Sequence, residues 1–165
     1  MAQRHGSFWT DKRLKISLAK ARDSERISQL IYQLSAKYIA NEFADDASRT
    51  LLVSMKPDVI EENMEMGFRY HIATSGERLI GVVAVRDNTH LFHLFVAEQF
   101  QRQGIASELW GVAMNRCLDE GNVGEFTVNS SRYALGFYKK LGFVASSGPQ
   151  EKNGITFYPM ELILT

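Results

Sequence analysis

Three stretches of this chain carry side chains whose types and spacing could do chemistry. His90 and His93 stand in the run HLFHLFV from 90 to 96, and an imidazole that titrates near neutrality can take or give a proton. A few residues on, Gln101-Arg102-Gln103-Gly104-Ile105-Ala106 sets a cation, a glycine and a small residue where an apolar run gives way to helical spacing. Backbone N–H groups at a helix start have no intrahelical partner, and with the helix dipole they attract an anion. Gly104 lets backbone approach a ligand closely, and Arg102 suits phosphate. The third is Tyr138, a phenol that stays protonated at neutral pH and can donate to a departing anion. Each also has a plainer reading: histidines satisfied within a sheet, an ordinary strand-to-helix turn, and an aromatic on a buried helix face beside Phe137 and Leu141.

Hydrophobic periodicity supplies the elements that must position these groups. Leu14, Ile16 and Leu18 alternate with polar residues and predict a half-buried strand over 14–19. Asp23 is placed to cap a helix whose stripe is Ile27, Leu30, Ile31, Leu34 and Tyr38. Two short helices follow over 47–55 and 58–66, divided at Lys56-Pro57 and ended by Gly67. Strands over 68–74 and 78–86 are joined at Ser75-Gly76-Glu77, and Gly81 marks a bulge or a close approach. Asp87-Asn88-Thr89 then turns the chain into a strand ending at Val96. In a regular strand His90 and His93 point to opposite faces, unless a bulge re-aims one of them.

Beyond the glycine turn, Ile105, Leu109 and Val112 begin a helix that ends near Glu120-Gly121. A strand over 125–128 leads to Asn129-Ser130-Ser131, whose side chains can cap a helix bearing Ala134, Phe137, Tyr138 and Leu141 and closed by Gly142. The chain ends with a strand over 143–146, a polar loop over 147–154, and a last strand over 155–164 broken by Pro159. This order predicts an α/β (α+β) fold, a mixed and mostly antiparallel sheet of about seven strands with helices on both faces.

Length and charge bound the partners. The 165 residues fit one domain spanning 1–165, with 1–12 read as a flexible N-terminal tail from which Phe8 and Trp9 could pack. The 19 basic and 19 acidic residues cancel, so no global field favours nucleic acid or an acidic membrane. Cys117 is the single cysteine, which excludes an intrachain disulfide and a cysteine metal cluster, and it reads as a small buried group with no cationic activator near it. With no apolar run long enough to span a bilayer and no signal-peptide core, the expected location is the cytoplasm.

Two motifs give the chain a resemblance. Gln101 to Ala106 fits Q/R-x-x-G-x-G/A after a strand ending in Val96, and Ala134-Leu135-Gly136-Phe137-Tyr138-Lys139-Lys140-Leu141-Gly142-Phe143 fits A-x-x-x-Y-x-K-x-G-F. Both resemble the GCN5-related N-acetyltransferase (GNAT) superfamily, whose element order this chain shares over about 14–164. The resemblance implies the acyl-CoA N-acyltransferase fold and direct transfer of acetyl from acetyl-CoA to a primary amine, with no acyl-enzyme and no metal. It makes Tyr138 the general acid and His90, six positions before Val96, the base acting through water, with His93 as its competitor. Leu94, Phe95 and Val96 would offer backbone to the pantetheine arm, and Gln101, Arg102, Gln103, Gly104, Ile105, Ala106 and Ser107 would hold the pyrophosphate.

Asn129 and Ser131 would line the other wall of that site. Members of the superfamily often carry Asn where this chain has Ser131, so the side-chain contact there lies open between the two. The acceptor site would form from 38–66, the hairpin tips and the loop at 147–153, with Glu42, Asp45, Asp46, Glu61, Glu62 and Glu65 drawing a cationic amine or forming only a solvated face. The resemblance also allows a homodimer. Competing readings are a non-catalytic acyl-CoA-binding regulatory module and a nucleotide-binding α/β domain, the latter weakened by the lack of GxxxxGK[ST] and GxGxxG.

Overall fold

The computed structural model describes residues 14–165; the tail expected over 1–12, with Phe8 and Trp9, lies outside the described residues. The first half of the sheet is β1 (Leu14–Leu18), β2 (Arg69–Ser75), β3 (Arg78–Arg86) and β4 (His90–Val96), each antiparallel to the one before it. Turn chemistry sets the last pairing. Asp87 and Asn88 sit at φ 55° and 56°, a left-handed backbone that Asp and Asn tolerate, and Thr89 N–H closes the turn on the Arg86 carbonyl at 3.2 Å.

Both faces of this half are covered, which is why β3 reads as an unbroken apolar run. Val82 and Ala84 pack with Tyr70 and Ile72 under Ile27 and Ile31 of α1 (Ser24–Tyr38), and with Ile60 of α3 (Pro57–Glu65). Val83 and Val85 point the other way, to Leu109, Trp110 and Ala113 of α4 (Ile105–Asp119). Between α1 and α3 lies α2 (Asp45–Val53), and Pro57 occupies the first turn of α3, where a missing N–H costs nothing. Asp23 does not cap α1 with its side chain. It serves the preceding turn instead, accepting from Lys20 N–H at 2.8 Å and from Arg26 at 2.8 Å.

After α4 the chain enters β5 (Glu125–Ser130), parallel to β4, and a short helix α5 (Leu135–Lys140). It then forms β6 (Val144–Ala145), β7 (Gln150–Lys152) and β8 (Ile155–Ile163). The eight strands run β1-β2-β3-β4-β5-β8-β6, with β7 also on β8. Two expectations are corrected here. The polar stretch at 147–154 contains β7, hydrogen-bonded to β8 through a turn with Asn153 at φ 53° and Gly154 at φ 78°. Pro159 does not break β8, because its carbonyl accepts from Ser146 N–H (3.1 Å) at the gap between β6 and β7, where no ladder bond needs the N–H that proline lacks. No helix among the described residues is long and apolar enough to cross a membrane.

Gly81 satisfies both meanings assigned to it. The β2–β3 register slips between Ala73↔Gly81 and Thr74↔Leu79, and a Cβ at Gly81 would lie 2.9 Å from Leu109 Cδ1 and 3.3 Å from the Phe95 carbonyl oxygen. Gly81→Val is therefore expected to overpack the sheet against α4 and cost about 1–3 kcal/mol. Urea unfolding checks this as a lower midpoint at unchanged slope; an unmoved midpoint would show that α4 yields freely.

Candidate active site

The site begins where the sheet comes apart. The parallel pairing of β4 with β5 is confined to His90↔Thr127 and Leu91↔Val128, whereas β3 follows β4 to Gly81↔Val96. Beyond Leu91 the two parallel strands diverge, so Leu94, Phe95 and Val96 have no strand partner on the β5 side. The opening presents main chain with no strand beside it, although the Val96 carbonyl is already taken by a side chain.

A second irregularity aims the histidines. β3 pairs Ala84 with His93 and Val85 with Leu91, which leaves Phe92 as a bulged residue. Leu91 packs in the α4-side core, while Phe92 and Phe95 pack on the α1 side. The His93 ring lies 4.3 Å from that of Phe92 and 5.7 Å from that of Phe95, which puts His93 with them. Alternation from Leu91 sends His90 to the same face. The opposite-face expectation for a regular strand is thus replaced: the bulge brings both imidazoles to one side.

Their environments differ. His90 Nδ1 is 2.7 Å from Thr127 Oγ1, and burial above all, with the Arg86 cation, pushes its pKa down to about 4 against the pull of Asp87. Thr127 and Asn129 alternate with the buried Phe126 and Val128 and lie on the exposed side of β5, so the His90–Thr127 pair borders solvent. His93 is buried at 8% exposure with no partner for Nε2, and burial alone pushes it down to about 4. Both rings are therefore neutral at pH 7, with a free lone pair, though the same burial makes each a weaker base than an ordinary imidazole.

Tyr138 lies on the other face. It belongs to the α4-side core with Leu91, Val96 and Val128, its ring 5.5 Å from Phe137 and 5.8 Å from Phe143. Burial raises its phenol well above the ordinary range, and among the described residues no protein group hydrogen-bonds its hydroxyl. Gly142, at φ 102°, turns the chain so that Phe143 N–H reaches the Tyr138 carbonyl at 3.1 Å. That turn explains the fixed spacing of tyrosine to Gly142-Phe143. The strand opening lies between Tyr138 on one side and the two histidines on the other.

At the wide end of the opening, Gly104 caps α4 at φ 81°, ψ 3°, and Arg102 is left-handed at φ 63°. The backbone N–H groups of Arg102 through Ser107 donate to no acceptor among the described residues, and Gln101 to Gly104 are exposed. Gln101 is tied back by Nε2 to the Val96 carbonyl at 2.9 Å. A Cβ at Gly104 would meet nothing within 4 Å, so backbone conformation, not crowding, calls for glycine there. The turn's N–H groups can receive an anion, and they lie just past the strand end where β4 has left β5. Asn129 stands on the His90 side of β5, while Ser131 Oγ accepts from Ala134 N–H at 3.2 Å and so serves the turn into α5.

Other sequence-based placements fare differently. Cys117 is buried as expected, but a cation does approach it: Arg69 Nη2 is 3.5 Å from Sγ, and burial still outweighs it, pushing the thiol up. Of the acidic residues offered to an amine, Glu42 lines a cavity of about 380 Å³ shared with Phe43, Arg132, Thr156 and Tyr158. Glu61 instead accepts from Ser24 Oγ at 3.1 Å and Asp46 pairs with Arg49 at 3.0 Å. A larger hollow of about 590 Å³ lies on α1 between Glu25 and Gln33 with Pro57, and contains none of the site residues.

A clasp over the mouth of the opening was not legible in sequence. Tyr38 donates its hydroxyl to Glu98 just past β4 (2.6 Å), where Lys37 also binds (2.8 Å), and its ring stacks on Tyr133 beyond β5 at 4.9 Å. Lys37 first, then Tyr38, holds the Glu98 carboxyl below its usual range. Helical spacing assigned Tyr38 to a core stripe, which is a fair signal for the helix and a misleading one for its last turn.

Comparison with known proteins follows the same outline. The model of the acetyltransferase (GNAT) domain matches residues 39–164. No curated protein matches the chain. Among solved structures, a GCN5-related N-acetyltransferase from Rhodopseudomonas palustris superposes with a TM-score of 0.75 at 18% identity, covering 91% of this chain and 95% of that one. PaiA N-acetyltransferase from Thermoplasma acidophilum, in complex with coenzyme A, gives 0.73 at 15% identity over 92% and 99%. Ard1 from Thermoplasma volcanium gives 0.69 at 17% over 93% and 99%.

Proposed function

The chain belongs to the acetyltransferase (GNAT) domain family, and from that premise we propose that it moves the acetyl group of acetyl-CoA directly to a primary amine of a small molecule, peptide or protein in the cytoplasm. The observation that carries the reading is the parting of β4 from β5 beside the free N–H groups of the Gly104 turn. That arrangement fits a ligand with a diphosphate head and a slender amide-bearing arm, and the Thermoplasma acidophilum relative is complexed with coenzyme A.

In this reading Arg102 and the N–H groups through Ser107 hold the pyrophosphate, and the main chain of Leu94, Phe95 and Val96, apart from the Val96 carbonyl that Gln101 holds, hydrogen-bonds the arm as a neighbouring strand would. Acetyl-CoA supplies the thioester. His90, neutral and oriented by Thr127, takes the amine proton through water at the exposed edge of β5: with Nδ1 donating to Thr127, Nε2 carries the lone pair. Tyr138 gives its proton to the departing sulfur from the opposite face. The three groups need no metal and no protein nucleophile.

Thermal denaturation tests the binding half. Acetyl-CoA at a hundredfold excess over its Kd should add about 2.7 kcal/mol and raise the Tm by roughly 5–10 °C, where ATP and NAD do not. Free-thiol release over amines, peptides and polyamines tests the transfer half. No shift with acetyl-CoA would sink the whole reading, while a shift without thiol release would leave a binding module.

A further inference from the structure

The cavity beside the clasp has no part in the chemistry above, and its walls are unlike those of a general amine site. Glu42 enters it from the turn after α1, Arg132 from the link between β5 and α5, and Thr156 and Tyr158 from β8, with Phe43 as an apolar wall. Arg132 Nε donates to the Tyr158 hydroxyl at 3.3 Å, which fixes the guanidinium plane and leaves its two terminal nitrogens free to form a fork. Tyr158 first, and Glu42 as well, raise the basicity of Arg132, so carboxylate and guanidinium feel each other. Among the described residues, however, the two form no ion pair. An anion and a cation that line one cavity without pairing suit a guest with both charges.

The cavity also sits where an acceptor must arrive. Tyr133, next to Arg132, stacks on Tyr38, whose hydroxyl spans to Glu98 at the end of β4. Glu42 follows Tyr38 by one turn of chain. The cavity thus adjoins the clasp over the β4/β5 opening through the neighbouring residues Arg132 and Tyr133.

We propose that this cavity is the acceptor pocket and that it selects an amine bearing a carboxylate, a free amino acid, with Arg132 on the carboxylate and Glu42 on the ammonium. This inference rests on the acetyl-transfer reading for its chemistry. The ammonium gives up a proton to water and His90; the nitrogen then forms a bond to the acetyl carbon as the carbon–sulfur bond breaks. The sulfur leaves with that electron pair and takes the Tyr138 proton; the second proton, shed by the nitrogen as the amide forms, passes to water, and solvent restores the Tyr138 phenol. A polycation meets repulsion at Arg132 and a phosphate dianion meets it at Glu42.

The test compares L-phenylalanine, L-leucine and L-lysine with phenethylamine, isoamylamine and cadaverine. Binding to the CoA-loaded protein is followed by calorimetry and transfer by thiol release. Each amino acid should exceed its decarboxylated partner about 10- to 100-fold in affinity and kcat/KM, the scale of a hydrogen-bonded charge pair. Arg132→Gln should bring that ratio toward unity, and Glu42→Gln should weaken amino acid and amine alike. Both residues are exposed, so the variants keep the fold, checked by an unchanged Tm. Transfer to amines with no carboxylate preference, or a preference that survives Arg132→Gln, overturns the pocket and leaves acetyl transfer standing. Amino-acid binding that depends on Arg132 without any thiol release supports the pocket and overturns the transfer reading, and neither binding nor transfer overturns both.

Discussion

Tyr138→Phe is expected to lower kcat by about 10²- to 10⁴-fold, the usual worth of a positioned general acid, while the acetyl-CoA thermal shift stays at its wild-type value. The substitution removes one oxygen and keeps the ring against Phe137 and Phe143, so packing survives. Because burial holds the phenol above its ordinary range, the proton is present throughout the working pH range. The same dry surroundings raise the basicity of a thiolate leaving beside it, so proton transfer is not opposed by the phenol's weak acidity alone. In wild type, no fall in rate from loss of this proton should appear below about pH 10. A kcat within a factor of two of wild type would remove Tyr138 from the mechanism and leave solvent to protonate the sulfur.

The second large effect is on stability in acid. His90 and His93 are both pushed to about 4 from a usual 6.5, and His71 is lowered too, by burial first and then by Arg69 and Arg116. A histidine kept neutral in the fold is protonated more readily in the unfolded chain. The stability it contributes is therefore complete above about pH 6.5 and is lost as pH falls toward 4. By pH 4 each of the first two should cost about 3 kcal/mol, which together rivals the whole stability of an ordinary domain. Urea midpoints between pH 7 and 4.5 measure this directly. His93→Phe, which replaces an unpartnered ring between two phenylalanines, should flatten the slope; a wild-type midpoint that does not move with pH would mean that these rings gain protons without leaving the fold.

Sequence carried the element order because each period was long enough to read: the Ile27–Tyr38 stripe, the continuous run of β3 and the change from strand to helix at Gly104. It failed where tertiary context set the outcome. Three residues at 150–152 have no period of their own and become strand only because β8 offers an edge. Pro159 warned against a strand, yet a break in the flanking strands removed the need for its N–H. The two motifs marked the anion turn and the tyrosine, since each depends on local backbone: Gly104 at φ 81° and Gly142 at φ 102°.

The rest of the candidate site was hidden for a different reason. The bulge at Phe92 that turns His93 to the His90 side depends on pairing with β3, and nothing within HLFHLFV declares it. Thr127, Tyr133, Arg132 and Tyr158 are ordinary surface residues in sequence. Only the meeting of α1, β5 and β8 gives them work to do.

The seam at His90↔Thr127 and Leu91↔Val128 has a mechanical meaning. Strands β1 to β4 and β5 to β8 are two leaves of one book, backed on one face by α4 and stitched to each other along a spine of strand pairing only two residue pairs long. An arm lying along Leu94 to Val96 would act as a page sewn between them, completing a ladder that the polypeptide leaves unfinished. In such a molecule substrate affinity and rigidity are one quantity: what tightens the spine improves the grip on the page.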